Sequence, residues 1–168
     1  MANVDNAIGF VPTPLVRARR YTRDAGSSTP IYPGDVTAQD VDGKCNAATA
    51  GLTTIIGSAL TFLTGTAAAP GMFADHPDQE YICQADGALT VGADIGNNGN
   101  HVVGTPVLAI KKSGHQLDAS DVTNGAAGFA LLDFISSPDN EVGTNSRVRV
   151  ICREHLLKGA TNYSGDSS

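Results

Sequence analysis

The sequence predicts an all-β protein: a single β-sandwich or barrel, jelly-roll or tulip-like, carrying an extended N-terminal arm. Three observations lead there. The 168 residues include 19 Gly but no Trp, 5 Phe, 4 Tyr and 2 Met, with an excess of Ala and Thr. Such light material suits short strands and tight turns better than long helices. Turn signals recur about every ten residues, giving about seven or eight short strands. The stretch Arg147 to Leu157 alternates, with Val148, Val150 and Cys152 on one face and Arg147, Arg149, Ile151 and Arg153 on the other. That period of two marks a half-buried strand.

Residues 1–30 read as the arm. Pro12, Pro14 and Pro30 fix φ and remove amide donors, so Phe10 to Leu15 is expected to be extended and poor in internal hydrogen bonds. An extended stretch cannot bury Ile8, Phe10, Val11, Leu15 and Val16 against itself, so these side chains need another surface. The body is read as 31–157. It opens with Ile31 to Val36 around a Pro33-Gly34 turn, and Val41 to Lys44 is a further turn. Thr53 to Leu63 is read as two short strands or a strand and a bend, because Thr and Ile favour strand and Gly57 opposes helix. Glu80 to Ala85 is a strand closed by Asp86-Gly87, and Asp94 to Asn100 a loop. Val102 to Lys112 is a strand after Pro106, and Ala126 to Ile135 a buried strand ended by Ser136 to Asn140. Residues 158–168 form a polar tail.

The charge is uneven. With 11 Lys plus Arg against 17 Asp plus Glu, the formal net charge is −6. Residues 1–24 contain Arg17, Arg19, Arg20 and Arg23 against Asp5 and Asp24, whereas the remainder is strongly acidic. An acidic body repels nucleic acid and anionic membranes at long range, so neither is an expected partner. The basic segment fits an acidic protein partner, a nucleic-acid contact or a solvated run, and Tyr21 alone among its residues could stack on a base. The N-terminus lacks the basic start and apolar stretch of a secretory signal, and no window is long and apolar enough to span a bilayer. Synthesis in a reducing cytoplasm is the expectation.

No catalytic, cofactor or metal-binding residue is predicted. Cys45, Cys83 and Cys152 are odd in number and widely spaced, without CxxC, and read as small buried hydrophobes. His76, His101, His115 and His155 are far apart with no partner at ligand spacing. Asp75-His76-Pro77-Asp78 is one compact polar cluster, more simply a turn capped by Asp than a metal site or the heart of a small hydrolase. No GxSxG occurs, and Gly96-Asn97-Asn98-Gly99 is a hairpin connection rather than a phosphate loop.

Three blocks carry a resemblance. Asn6-Ala7-Ile8-Gly9-Phe10-Val11-Pro12 resembles the opening of the tailed-phage capsid decoration (cement or head-stabilising) proteins. Ala74 to Tyr81 (ADHPDQEY) is similar to that family's entry into a central strand. Pro138 to Gly143 (PDNEVG), followed by the alternating strand and Glu154-His155-Leu156-Leu157, is similar to its ending. The blocks occur in the family's order and span nearly the whole chain. The Arg-rich 17–23 segment departs from the pattern. The resemblance implies a non-enzymatic virion protein bound to the outer capsid surface, partnered by the major capsid protein and by itself as a homo-trimer or homo-dimer, and stabilising the head against internal DNA pressure. Ile8, Phe10 and Leu15 are then expected to anchor the arm, with Arg17, Arg19, Arg20 and Arg23 meeting acidic capsid groups. Deleting residues 2–24 is expected to leave a folded body that no longer binds. The competing reading is a glycan- or host-surface-binding β module of a phage particle, which would call for surface aromatics or a calcium shell.

Overall fold

A computed structural model describes residues 3–40, 42–51, 54–123, 125 and 127–158. The tail lies almost wholly outside the described residues. Twelve short strands, one turn of α-helix (α1, Val91–Asp94) and three 3-10 turns make up the described chain. The all-β expectation holds, with more and shorter strands than turn spacing gave. Two five-stranded antiparallel sheets pack face to face. The first runs in the order β1 (Val11–Pro12), β7 (Glu80–Gln84), β12 (Arg147–Cys152), β11 (Phe129–Phe134), β8 (Asn98–Gly99). The second runs β2 (Ala18–Thr22), β6 (Pro70–Ala74), β5 (Ile55–Ala59), β3 (Val36–Gln39), β4 (Cys45–Ala47). A separate hairpin, β9 (His101–Val103) with β10 (His115–Leu117), joins the first sheet through a bridge from Leu117 to Ala85.

The centre of the second sheet is buried on both faces, so β5 is buried along its whole length, Ser58 included. Successive side chains point to opposite faces. Ile55 and Ala74 enter the core between the sheets, with Tyr81, Phe129, Leu131, Val148 and Val150. Ile56 and Phe73 point the other way, into a smaller core with Ile31, Cys45 and Leu63. That second core is roofed by the loops around Ile31 and Leu63, which pair with each other. A bridge from Arg23 to Cys45 brings the outer strands β2 and β4 together, so this sheet curls partly closed. The architecture is therefore a sandwich with one barrel-like leaf. Gly57 stands where β5 crowds its neighbour β6: a Cβ there would lie 1.8 Å from the Ala74 carbonyl oxygen and 2.9 Å from the hydroxyl of Tyr81, which reaches across from the first sheet. Through that gap Tyr81 Oη donates to the Ala74 carbonyl at 2.9 Å, pinning one sheet to the other.

Strand β12 is buried at Val148, Val150 and Cys152, as the alternation predicts. Of the Thr53 to Leu63 stretch, residue 53 lies outside the described residues, and 54–63 contain strand β5 and a bend. Two readings are corrected. The strand expected after Pro106 lies before it, at His101–Val103, and the later residues form a 3-10 turn with Leu108 and Ile110 exposed. Runs of apolar residues do not distinguish a buried strand from an exposed apolar turn. Within the expected Asp94 to Asn100 loop, Asn98–Gly99 pairs with β11.

The larger correction concerns residues 1–30. From residue 3 onward they are part of the body: Val11 and Pro12 pair with Ile82 and Tyr81, and Ala18 to Thr22 pairs with β6. The prolines did exclude local hydrogen bonding, but the donors and acceptors are met by distant strands instead.

Candidate partner-binding surface

The N-terminal segment is a strap fastened along the edge of the first sheet by the side-chain amides of β7 and the turn before it. Gln84 Oε1 accepts from the Asn6 amide N–H at 2.8 Å, and Gln84 Nε2 donates to the Val4 carbonyl at 2.8 Å. Gln79 does the same further along, accepting from the Val16 N–H at 2.8 Å and donating to the Pro14 carbonyl at 2.6 Å. Asn3 clasps the 141–144 loop, donating to the Glu141 and Thr144 carbonyls and accepting from the Glu141 N–H. An amide carries a donor and an acceptor, so each clip binds extended backbone at two points.

These contacts place the three resemblance blocks side by side. Residues 6–12 lie along β7, 74–81 lead into β7, and 138–147 close the far end of the seam. Sequence order does not reveal this proximity.

The predicted contact residues separate into two groups. Phe10 does not face outward. Gly9 takes φ +70 and its Cα passes so close to Gly34 that a Cβ would sit 2.7 Å from the Gly34 oxygen. The turn drives Phe10 into the main core, where it is fully buried and stacks on Phe129 at 4.5 Å between ring centroids. Ile8 is half-buried beside a groove shared with Gln84 and Asn140. Arg23 is also fully buried, donating to the carbonyls of Ala67, Ser27 and Thr29 and so tying together the loops that roof the smaller core. Phe10 and Arg23 are therefore internal fasteners, corrected from partner contacts.

Arg17 and Arg19 converge on one buried carboxylate. Asp75 is completely enclosed and accepts from Arg17 Nε at 2.9 Å and from Tyr21 Oη at 2.8 Å, with Arg19 Nε at 3.6 Å. Arg17 Nη2 also donates to the Asp75 carbonyl at 2.9 Å. Burial, with the Asp75 hydrogen bond adding to it, pushes the Tyr21 hydroxyl up to about 12. One carboxylate balances one of the two guanidinium charges, so the cluster is engaged within the subunit but stays net positive, with the Arg19 side chain 55% exposed. Asp75 is also not the cap of its own turn: the following turn is held by the Gln79 N–H to the His76 carbonyl at 3.0 Å and the Asp78 N–H to His76 Nδ1 at 3.1 Å. Leu15 (50% exposed) and Arg20 do face solvent, together with Val4, Val11 and Val16. Deleting residues 2–24 would remove Phe10 and two strands, so it would not leave an intact body.

A second constellation escapes sequence reasoning. His101 and His115 stack at 5.3 Å with an 11° interplanar angle, both buried. His115 Nδ1 accepts the Val36 N–H at 3.2 Å, which leaves its proton on Nε2, 3.6 Å from Asp35 Oδ1. Desolvation lowers both imidazoles to about 4, with His115 adding to the shift at His101, while the same burial raises Asp35 to about 6. The two histidines are 14 residues apart, but hairpin pairing of β9 with β10 brings them together; only a correct reading of that hairpin could have shown it.

Among the described residues no three His, Cys, Asp or Glu side chains are grouped to hold a metal ion, and no helix is long and apolar enough to cross a membrane. Cys45, Cys83 and Cys152 are free and buried, and burial pushes the Cys45 thiol up to about 11 and that of Cys83 higher still.

The fold and this surface define an antiparallel β-sandwich with its own N-terminal segment bound across one edge. Comparison with known protein families, with curated proteins and with solved structures found no match.

Proposed function

We propose that the chain is a non-catalytic structural protein of a phage particle that binds the outer surface of the capsid and stabilises it. The observation that carries the reading is the strap: it is fixed on its inner side by Phe10 and the three amide side chains of Gln84, Gln79 and Asn3, yet presents Val11, Leu15 and Val16 to solvent. An ordered extended backbone with an outward apolar row has already met its ordering entropy, so a partner gains its apolar contacts at small conformational cost. Repetition over a symmetric lattice would multiply weak contacts into avidity. The resemblance of residues 6–12, 74–81 and 138–157 to capsid decoration proteins supports the same reading. In this form the docking surface is Leu15 with its apolar neighbours and Arg20, and the buried fasteners serve only to hold it.

The test is co-expression with the major capsid protein encoded nearest its gene, followed by gradient purification of the particles. Particles carrying this chain on their outer face support the proposal, together with loss of the chain when Leu15 and Val16 are both changed to Asp. Particles without the chain, or full occupancy by the doubly substituted protein, would overturn it.

A further inference from the structure

Beside the loop end of the β9–β10 hairpin lies a cavity of about 570 Å³ with largely apolar walls, formed by Pro30, Tyr32, Ala47, Val102, Val103 and Pro106. Its polar lining includes Thr29 and Thr49 together with Asp35 and His115, and the last two are more than nine-tenths buried. A space of this size, apolar with a few convergent polar groups, has the general character of a small-molecule site.

The carboxylate gives the site its chemistry. Asp35 Oδ2 accepts the Tyr32 N–H at 2.8 Å, but Oδ1 has no hydrogen-bond partner and no contact with water. Its surroundings hold only neutral polar groups: the Ser113 hydroxyl, whose hydrogen bonding to the carboxyl offsets part of the effect of burial, and His115 Nε2 at 3.6 Å from Oδ1, beyond hydrogen-bond range and on a neutral ring. No Lys or Arg forms part of the lining. A buried carboxylate oxygen left without a donor costs more than almost any other polar atom. What the cavity lacks is a cationic donor attached to an apolar body.

We propose that this cavity binds a small primary amine with an aliphatic tail. Its ammonium group lies against Asp35 at the floor, after a small turn of the His115 ring, and its chain lies along Tyr32, Val102 and Pro106. The ammonium supplies both the missing charge and the missing hydrogen bond. An alcohol supplies only a neutral donor, and a carboxylate is repelled.

The experiment is titration of the full ¹⁵N-labelled chain at pH 7.5 with n-hexylamine, 1-hexanol and hexanoate, followed by amide and imidazole NMR shifts. Saturable binding of hexylamine in the millimolar range is expected, with shifts centred on Tyr32, Val36, Val103 and His115. 1-Hexanol should bind about tenfold more weakly, and hexanoate should not bind, because a charge-assisted hydrogen bond is stronger than a neutral one. Asp35→Asn keeps an acceptor for the Tyr32 N–H and should erase the preference for amine over alcohol. Ala50→Phe, on the exposed rim, leaves the carboxylate intact and should weaken both. Equal affinity for amine and alcohol, shifts centred elsewhere, absence of saturation, or unchanged amine binding by Asp35→Asn would each overturn the proposal.

Discussion

Among the contacts that hold the N-terminal segment to the body, two side-chain attachments rely on different physics. At Phe10 it is held by apolar burial and ring packing, with Phe129 stacked against it and Tyr81 and His101 meeting it edge-on. Between Arg17 and Arg23 it is held by charge: two guanidinium groups and a phenol on Asp75, and a third guanidinium on backbone carbonyls. The expectation from chemistry alone is that the ionic attachment responds to pH and the apolar one does not. The structure places acid sensitivity at the apolar end instead, because the groups there with pKa values shifted toward mild acid are the imidazoles of His101 and His115, and His101 packs against Phe10 itself. What decides the response is which buried groups would have to gain a charge, not how many charges are already present.

Phe10→Ala breaks the apolar attachment most directly. Truncating a fully buried phenylalanine stacked on Phe129 should destabilise the fold by about 3–5 kcal/mol, read from urea unfolding. A change below about 1 kcal/mol would mean that the strap is bound only at its ionic end.

Acidification sharpens the comparison without mutation. Both imidazoles titrate near 4 in the folded protein and near 6.5 when unfolded, so the unfolded chain binds more protons between those values. Their contribution is fully present above about pH 6.5 and is lost as the pH falls toward 4. Asp35, raised to about 6, acts in the opposite direction: its proton is held more tightly by the folded state, so it offsets part of the loss below pH 6. Two histidines outweigh one aspartate. Stability should fall by about 2–3 kcal/mol between pH 7.5 and pH 5. His115→Asn should remove much of that slope, and an unchanged slope in this variant would place the titration elsewhere.

Much of the fold was legible because burial on one face leaves a period of two, as in Val148, Val150 and Cys152. The same signal was present at the N-terminus and was masked by charge. Arg17, Arg19, Tyr21 and Arg23 alternate with Ala18, Arg20 and Thr22, a strand pattern in which three of the four side chains on the alternating positions are cationic and only Arg23 is fully buried. A basic run reads as solvated unless its counter-charge is known, and Asp75 lies 58 residues from Arg17. Phe10 was recognised as needing a surface, but no local pattern states whether that surface is the chain's own. The Asp35, His101 and His115 group was illegible for the same reason, since β3, β9 and β10 meet only in the tertiary structure.

Asp75→Ala tests the ionic attachment. It leaves the Tyr21 hydroxyl and two guanidinium groups without their acceptor, but the Arg19 side chain is already 55% exposed and Arg17 is 31% exposed, so both can turn to water. The expected cost is about 1–3 kcal/mol, less than at Phe10, read from urea unfolding at pH 7.5.

The smallest effect on stability belongs to the outward side of the same segment. Leu15 and Arg20 are exposed, and Leu15→Ser with Arg20→Ser should change unfolding free energy by no more than about 0.5 kcal/mol. If these side chains form the docking surface, the double variant should nevertheless lose occupancy on capsids, because each lattice position depends on the same few contacts. A larger stability change would show that Leu15 is part of the attachment rather than of the surface it presents. An unchanged occupancy would confine the role of residues 3–23 to holding their own subunit together.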